Sequence, residues 1–180
     1  GIRLLTFIVE LNQQEAWATD IGNAYLKSDT NEKVYIVDGP KFGDRAGHTF
    51  VISKALYSLK SSGLGWNERF SDALYEMGFF PSKTEKDIWI HKADRLYEYI
   101  GVYVDDLIIV SKNPNRIIDV LQDQHNFKLK DTSPILFHLG CSFFRVDEGV
   151  LCLAPWKYIE KMMNNYKRIF GRNQSSIPLP

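Results

Sequence analysis

Asp105 and Asp106 stand side by side in the stretch YVDDLIIV, residues 103–110. Apolar residues surround them: Val102 and Val104 before, Leu107, Ile108, Ile109 and Val110 after. Adjacent carboxylates repel, and a two-residue hairpin turn favours Asn-Gly or Asp-Gly because its backbone visits positive φ. Charge and local propensity both disfavour the pair, a conflict that marks a functional site or an unseen partner. A hard divalent cation would resolve it. Mg²⁺ takes oxygen ligands, is held by one or two protein carboxylates, and completes its shell with water and substrate phosphates. Asp20 is the natural third carboxylate, because it ends the predicted strand AWATD just before a turn. Two bridged ions about 3.5–4 Å apart would stabilise the attacking and leaving oxygens of a phosphoryl transfer. A solvated acidic turn is the other reading of the same residues, and two aspartates alone do not separate the two.

The elements that must position these groups are legible from periodicity. Ile2, Leu5, Ile8 and Val9 repeat at helical spacing, so residues 2–13 read as an amphipathic helix. After the strand ending at Asp20, IGNAYL reads as a turn into a short helical piece, and KVYIV (33–37) as a strand closed by DGP and a Gly-rich loop through Gly47. TFVISKALYSL begins as a strand. Trp66, Phe70, Ala73, Leu74 and Met77 then share one helical face, with Gly78 placed to end that helix. Residues 88–91, 97–104 and 107–111 read as strands, the last two joined by Asp105-Asp106 as a two-residue turn. KNPNRIIDVLQDQ starts a helix with Asn113 as N-cap and Pro114 at its first position. ILFHLGCSFFRV and VLCLA read as a hairpin closed by DEG. A last helix carries Trp156, Ile159, Met163, Tyr166 and Phe170 on one stripe and ends near Gly171. Helices and antiparallel hairpins in blocks predict an α+β fold with helices packed on one face of the sheet.

The 180 residues are single-domain size, and 44% hydrophobic with 24% charged is a globular composition. No apolar run approaches the roughly 18 residues of a membrane span. Two cysteines, Cys141 and Cys152, make no disulfide framework; they read as small buried hydrophobes in an intracellular protein. The net charge of zero excludes a strongly basic nucleic-acid binder, so any such site must be local. Both ends read as cut from a larger polypeptide.

Five segments in order resemble the reverse transcriptase of copia-type long-terminal-repeat retrotransposons, and more distantly that of retroviruses. YVDD (103–106) is similar to the metal-binding hairpin, and DIGNAY (20–25) to the other carboxylate segment with its aromatic five residues on. KALYSLKSSGLGW (54–66) is similar to the segment usually written K-A-L-Y-G-L-K-Q-A-P-R-A-W. FKLKD (127–131) and FHLG (137–140) resemble the following strand and the primer grip.

This resemblance, which covers the whole chain, implies an RNA-directed DNA polymerase with a palm-like antiparallel sheet and partial fingers, using two Mg²⁺ ions, with Mn²⁺ as a substitute. It implies that Asp20 and Asp105 hold the ions, with Asp106 a weaker ligand and the Ile21 carbonyl completing a shell. Tyr25 would be the aromatic gate against a ribose 2′-hydroxyl. Tyr57, Lys60 and Ser61 would lie near the incoming nucleotide and template. Tyr103, Phe137, His138 and Gly140 would support template and primer, and Lys130 is the candidate proton donor to pyrophosphate. Three positions depart from the family pattern: its Gln is Ser61, its Gly is Ser58 and its Pro is Gly63. The implied organisation is one palm and partial-fingers domain over 1–180, the thumb beginning near 155–180, without the upstream fingers hairpin or the downstream ribonuclease H domain. Implied partners are primer-template nucleic acid and deoxynucleoside triphosphates, in a cytoplasmic virus-like particle or the nucleus. Lys157, Lys161, Lys167 and Arg168 read as a phosphate-facing patch or a solvated helix face. The alternative function is a retroelement-derived, inactive domain serving as a structural subunit, with protein partners, or as a nucleic-acid-binding module.

Overall fold

A computed structural model of the chain describes residues 1–30, 32–147 and 149–171. In chain order the elements are α1 (Ile2–Asn12), β1 (Glu15–Ile21), β2 (Tyr35–Val37), β3 (Thr49–Val51), α2 (Ser62–Glu76), β4 (Phe80–Pro81), β5 (Ile88–Lys92) and β6 (Tyr97–Tyr103). There follow β7 (Asp106–Ser111), α3 (Pro114–Asp123), β8 (Leu129–Pro134), β9 (Phe137–His138), β10 (Cys141–Arg145), β11 (Leu151–Ala154) and α4 (Trp156–Phe170). A short 3₁₀ segment, Ala24–Lys27, follows β1 where the sequence predicts a helical piece. The mixed α+β class expected from the block pattern is what forms.

The central sheet has six strands in the order β4-β5-β6-β7-β1-β8, every pair antiparallel. Its organising strand is β7, apolar and buried at Leu107, Ile108, Ile109 and Val110. Side chains alternate along a strand, so such a run needs cover on both faces. Leu107 and Ile109 pack with Trp66, Phe70 and Leu74 of α2 and with Ile117 and Leu121 of α3. Ile108 and Val110 pack with Leu5 and Val9 of α1, Phe143 of β10 and Leu151 of β11. Helices therefore lie on both faces, not on one as the block pattern suggested; the unbroken apolar run of β7 is the cause. At Gly101 of β6, an added Cβ would stand 2.6 Å from Leu5 Cδ1. Because that contact is a flexible side-chain end, Gly101→Ala is expected to cost about 1 kcal/mol, read as a lowered urea midpoint.

Two local expectations change. The β6–β7 register pairs Tyr103 with Asp106 and Gly101 with Ile108, so the two-residue turn is Val104-Asp105, and Asp106 is the first residue of β7. The same register runs back along the strands through Ile100–Ile109 to Tyr99–Val110. The segment ILFHLGCSFFRV is not one strand. Leu139 and Gly140, both at positive φ, fold β9 back onto β10, giving a small sheet in the order β11-β10-β9. The turn expected at DEG closes with the Val146 N–H donating to Val150 O at 3.1 Å; its Glu148 lies outside the described residues.

At the sheet end away from the aspartates, buried Glu98 accepts hydrogen bonds from Ser111 Oγ (2.7 Å), His91 Nδ1 (3.0 Å) and Arg116. Burial pushes this carboxyl up, but the three donors outweigh it and hold it below the ordinary range. β5, β6, β7 and α3 are tied together there. α4 ends on Gly171 at φ 60, as its position in the sequence suggests. No residue of α4 is buried, and Trp156, Ile159, Tyr166 and Phe170 are exposed. Residues 172–180 of the expected thumb region lie outside the described residues. Among the described residues, no helix is long and apolar enough to cross a membrane.

Candidate active site

The acidic residues meet where β1 and the β6–β7 turn end together. Asp20 pairs across the β1–β7 ladder with Asp106, and on its other side with Lys130 of β8. The next residue, buried Ile21, donates its N–H to Asp105 O at 2.8 Å, which fastens the turn to the end of β1. Gly22 donates to Lys128 O at 2.8 Å. An added Cβ at Gly22 would lie 2.6 Å from Lys130 Cε, so the glycine leaves room for the lysine stem beside Asp20.

The charges are arranged against one another. Burial pushes the Asp20 carboxyl above its ordinary value; Asp105 adds the largest repulsion, Asp106 and Asp131 add less, and Lys130 opposes them. Burial and the Asp105 charge raise Asp106 as well. Asp131 closes the FKLKD segment, where the sequence gives it no role; it joins because β8 lies beside β1, and only strand pairing could reveal that.

A cavity of about 370 Å³ opens beside this cluster, lined by Asp20, Asp106, Asp131, Phe137, His138 and Gly140 among others. The FHLG segment thus faces the carboxylates across open space. Burial pushes the buried His138 imidazole down to about 4, so it is neutral at physiological pH. Lys157 of α4 sits over the Phe137 ring, 4.2 Å from its centre.

On the other side of the turn, the Tyr57 hydroxyl donates to Asp105 Oδ2 at 3.1 Å. Its ring meets Tyr25 edge-on with centroids 4.5 Å apart, so Tyr25 is braced next to the aspartates. Tyr103 is exposed at the end of β6. Lys60 is exposed, and Ser61 is already engaged: its N–H and Oγ donate to Glu32 Oε1 at 2.7 and 2.6 Å. Those hydrogen bonds hold Glu32 below the ordinary carboxylate range. Val104 in the turn has φ 59, a strained value for a β-branched residue, and its carbonyl accepts from Trp66 Nε1 at 2.7 Å. Sequence periodicity marks Trp66 as a core residue but carries no sign of this bond.

Among the described residues, no group of three or more His, Cys, Asp or Glu side chains is gathered closely enough to hold a metal ion. The chemistry of the donors nevertheless fits a hard cation. Two opposed carboxylates stand with a third on the adjoining turn, and burial followed by mutual repulsion raises two of them, which a bound cation would counter.

Comparison with known proteins gives the family. The family model for "Reverse transcriptase (RNA-dependent DNA polymerase)" matches residues 1–179, and the chain belongs to that family. It is similar to the retrovirus-related Pol polyprotein from transposon RE1 of Arabidopsis thaliana, 29% identical over 143 residues, covering 78% of this chain and 10% of the polyprotein. A putative transposon Ty5-1 protein of Saccharomyces cerevisiae is 28% identical over 145 residues, covering 79% of this chain and 47% of that protein. The transposon Ty1-MR1 Gag-Pol polyprotein of the same yeast is 34% identical over 113 residues, covering 61% of this chain and 6% of the polyprotein. The chain is thus a copia-type reverse transcriptase segment that spans under half the length of these relatives. Members of the family generally use divalent metals.

Proposed function

We propose that these 180 residues form the palm and part of the fingers of an RNA-directed DNA polymerase that adds deoxynucleotides to a primer. The observation that carries the reading is the opposition of Asp20 and Asp106 across β1–β7, with Asp105 fastened to Ile21. Asp20, Asp105 and Asp106, with the Ile21 carbonyl, would hold Mg²⁺ or Mn²⁺. When bound, such ions lower the pKa of the attacking hydroxyl and neutralise charge on the triphosphate.

The remaining work falls to the chain's own groups. Tyr25, braced edge-on by Tyr57, presents a ring wall that crowds a ribose 2′-hydroxyl and selects deoxynucleotides. Phe137, neutral His138 and Gly140 form the wall across from the carboxylates on which a primer end can rest. Lys130, next to Asp20, is placed to give a proton to departing pyrophosphate. Lys60 and Ser61 stand near the nucleotide path, where Ser61 must exchange Glu32 for substrate. Tyr103, exposed at the end of β6, faces the template-primer. Positioning and electrostatics supply nearly all of the rate in such a site.

A structural or interaction subunit is the second reading, and the exposed apolar stripe of α4 is the feature that favours it. Primer extension on an RNA template, by a polypeptide carrying this chain, separates the two. Asp105→Asn is expected to remove the activity; extension unchanged by that substitution would exclude the polymerase assignment.

A further inference from the structure

We propose that Trp66 is a positioning residue for the carboxylate turn: its indole N–H holds the Val104 carbonyl and so keeps Asp105 and Asp106 in place. The inference rests on the polymerase reading above and deepens it.

In a two-residue hairpin, the carbonyls of the two turn residues lie outside the ladder and ordinarily face water. Here both are taken by protein donors. Ile21 N–H reaches Asp105 O at 2.8 Å from β1, and Trp66 Nε1 reaches Val104 O at 2.7 Å from α2. The turn is gripped from two elements at once. It needs gripping, because Val104 holds φ 59, and a strained backbone of this kind costs roughly 1–3 kcal/mol and persists only where its surroundings over-determine it.

Trp66 is well suited to the task because it is packed on several sides. It is 3% exposed and stacks on Phe70 at 5.2 Å, and Phe127 meets it edge-on at 5.8 Å. The aromatic cluster fixes the height of the indole, and the indole fixes the turn. An ordinary buried tryptophan needs some acceptor for its N–H. This one uses the carbonyl of the strained residue directly before Asp105, and no other side-chain hydrogen bond among the described residues reaches that turn residue's backbone.

The test replaces Trp66 by benzothienylalanine, which keeps the bicyclic shape and has sulfur in place of the N–H. Trp66→Phe serves as a second variant. Three quantities are read on the full 180-residue chain: amide exchange at Ile21, affinity for Mn²⁺ and the melting temperature. The isostere is expected to speed Ile21 exchange about tenfold and weaken Mn²⁺ binding several-fold, with the melting temperature little changed, since packing is retained. A merely structural role would move the melting temperature and leave Mn²⁺ affinity alone. Unchanged Ile21 exchange and Mn²⁺ affinity in the isostere would overturn this inference while leaving the polymerase reading intact. Failure of the unsubstituted chain to bind Mn²⁺ would overturn both.

Discussion

Asp20→Asn is expected to cut primer extension by on the order of 10³-fold while raising the melting temperature by about 1–3 °C. The two effects have one cause. Asp20 carries a carboxyl raised first by burial and then by Asp105, with smaller repulsion from Asp106 and Asp131. A carboxyl raised in the folded state favours folding when protonated and opposes it when charged. Its stabilising contribution is complete below the ordinary value of 3.8 and is lost as pH rises through the higher folded value. The melting temperatures of the parent and Asp20→Asn chains should therefore lie closest in acid and separate toward neutrality. Asp106→Asn should behave alike in stability, because burial and Asp105 raise its carboxyl too. Scanning calorimetry across pH measures the separation. The site is thus held at a cost to the fold, which is the pattern expected where charge is kept for function.

Stability should also fall by roughly 2 to 3 kcal/mol as pH drops from about 6.5 to about 4, on account of His138 alone. Burial lowers its imidazole from 6.5 to about 4, so in that window the unfolded chain takes a proton that the folded chain refuses. The contribution is present in full above 6.5 and is lost as pH falls through the folded value. His138→Gln removes the titration, and the difference between the two urea-unfolding profiles isolates it from the opposite trend of Asp20 and Asp106. His138 lines the same cavity as Asp20, so its neutral ring adds no positive charge there.

Much of the site was legible because charge in an apolar strand is costly, and the cost points to a purpose. Asp105 and Asp106 stand out in that way, Asp20 only as the end of a predicted strand before a turn, and strand pairing brings all three to one end of the sheet. The turn was read one residue late because Val104 is a poor residue for positive φ; only tertiary bonds to its neighbours keep it there. The second helical layer was implicit in β7, whose four consecutive buried residues need cover on both sides, but block order alone does not say which helix covers which face. The break at Leu139 had Gly140 as its signal, yet the β-strand propensity of the flanking Phe and Leu residues spoke for a continuous strand. The contacts of Asp131 and Trp66 come from register and packing between distant segments, which no local pattern contains.

The central claim is that the three aspartates form a divalent-cation site for nucleotidyl transfer. Carboxyl carbon NMR titration of Asp20 and Asp106, with and without saturating Mg²⁺, tests it most directly. Without the ion both carboxyls should titrate above 3.8, as burial and mutual repulsion require. With Mg²⁺ both should fall below that value, because a bound cation favours the charged forms. Titration curves that superimpose in the presence and absence of Mg²⁺ would contradict the claim.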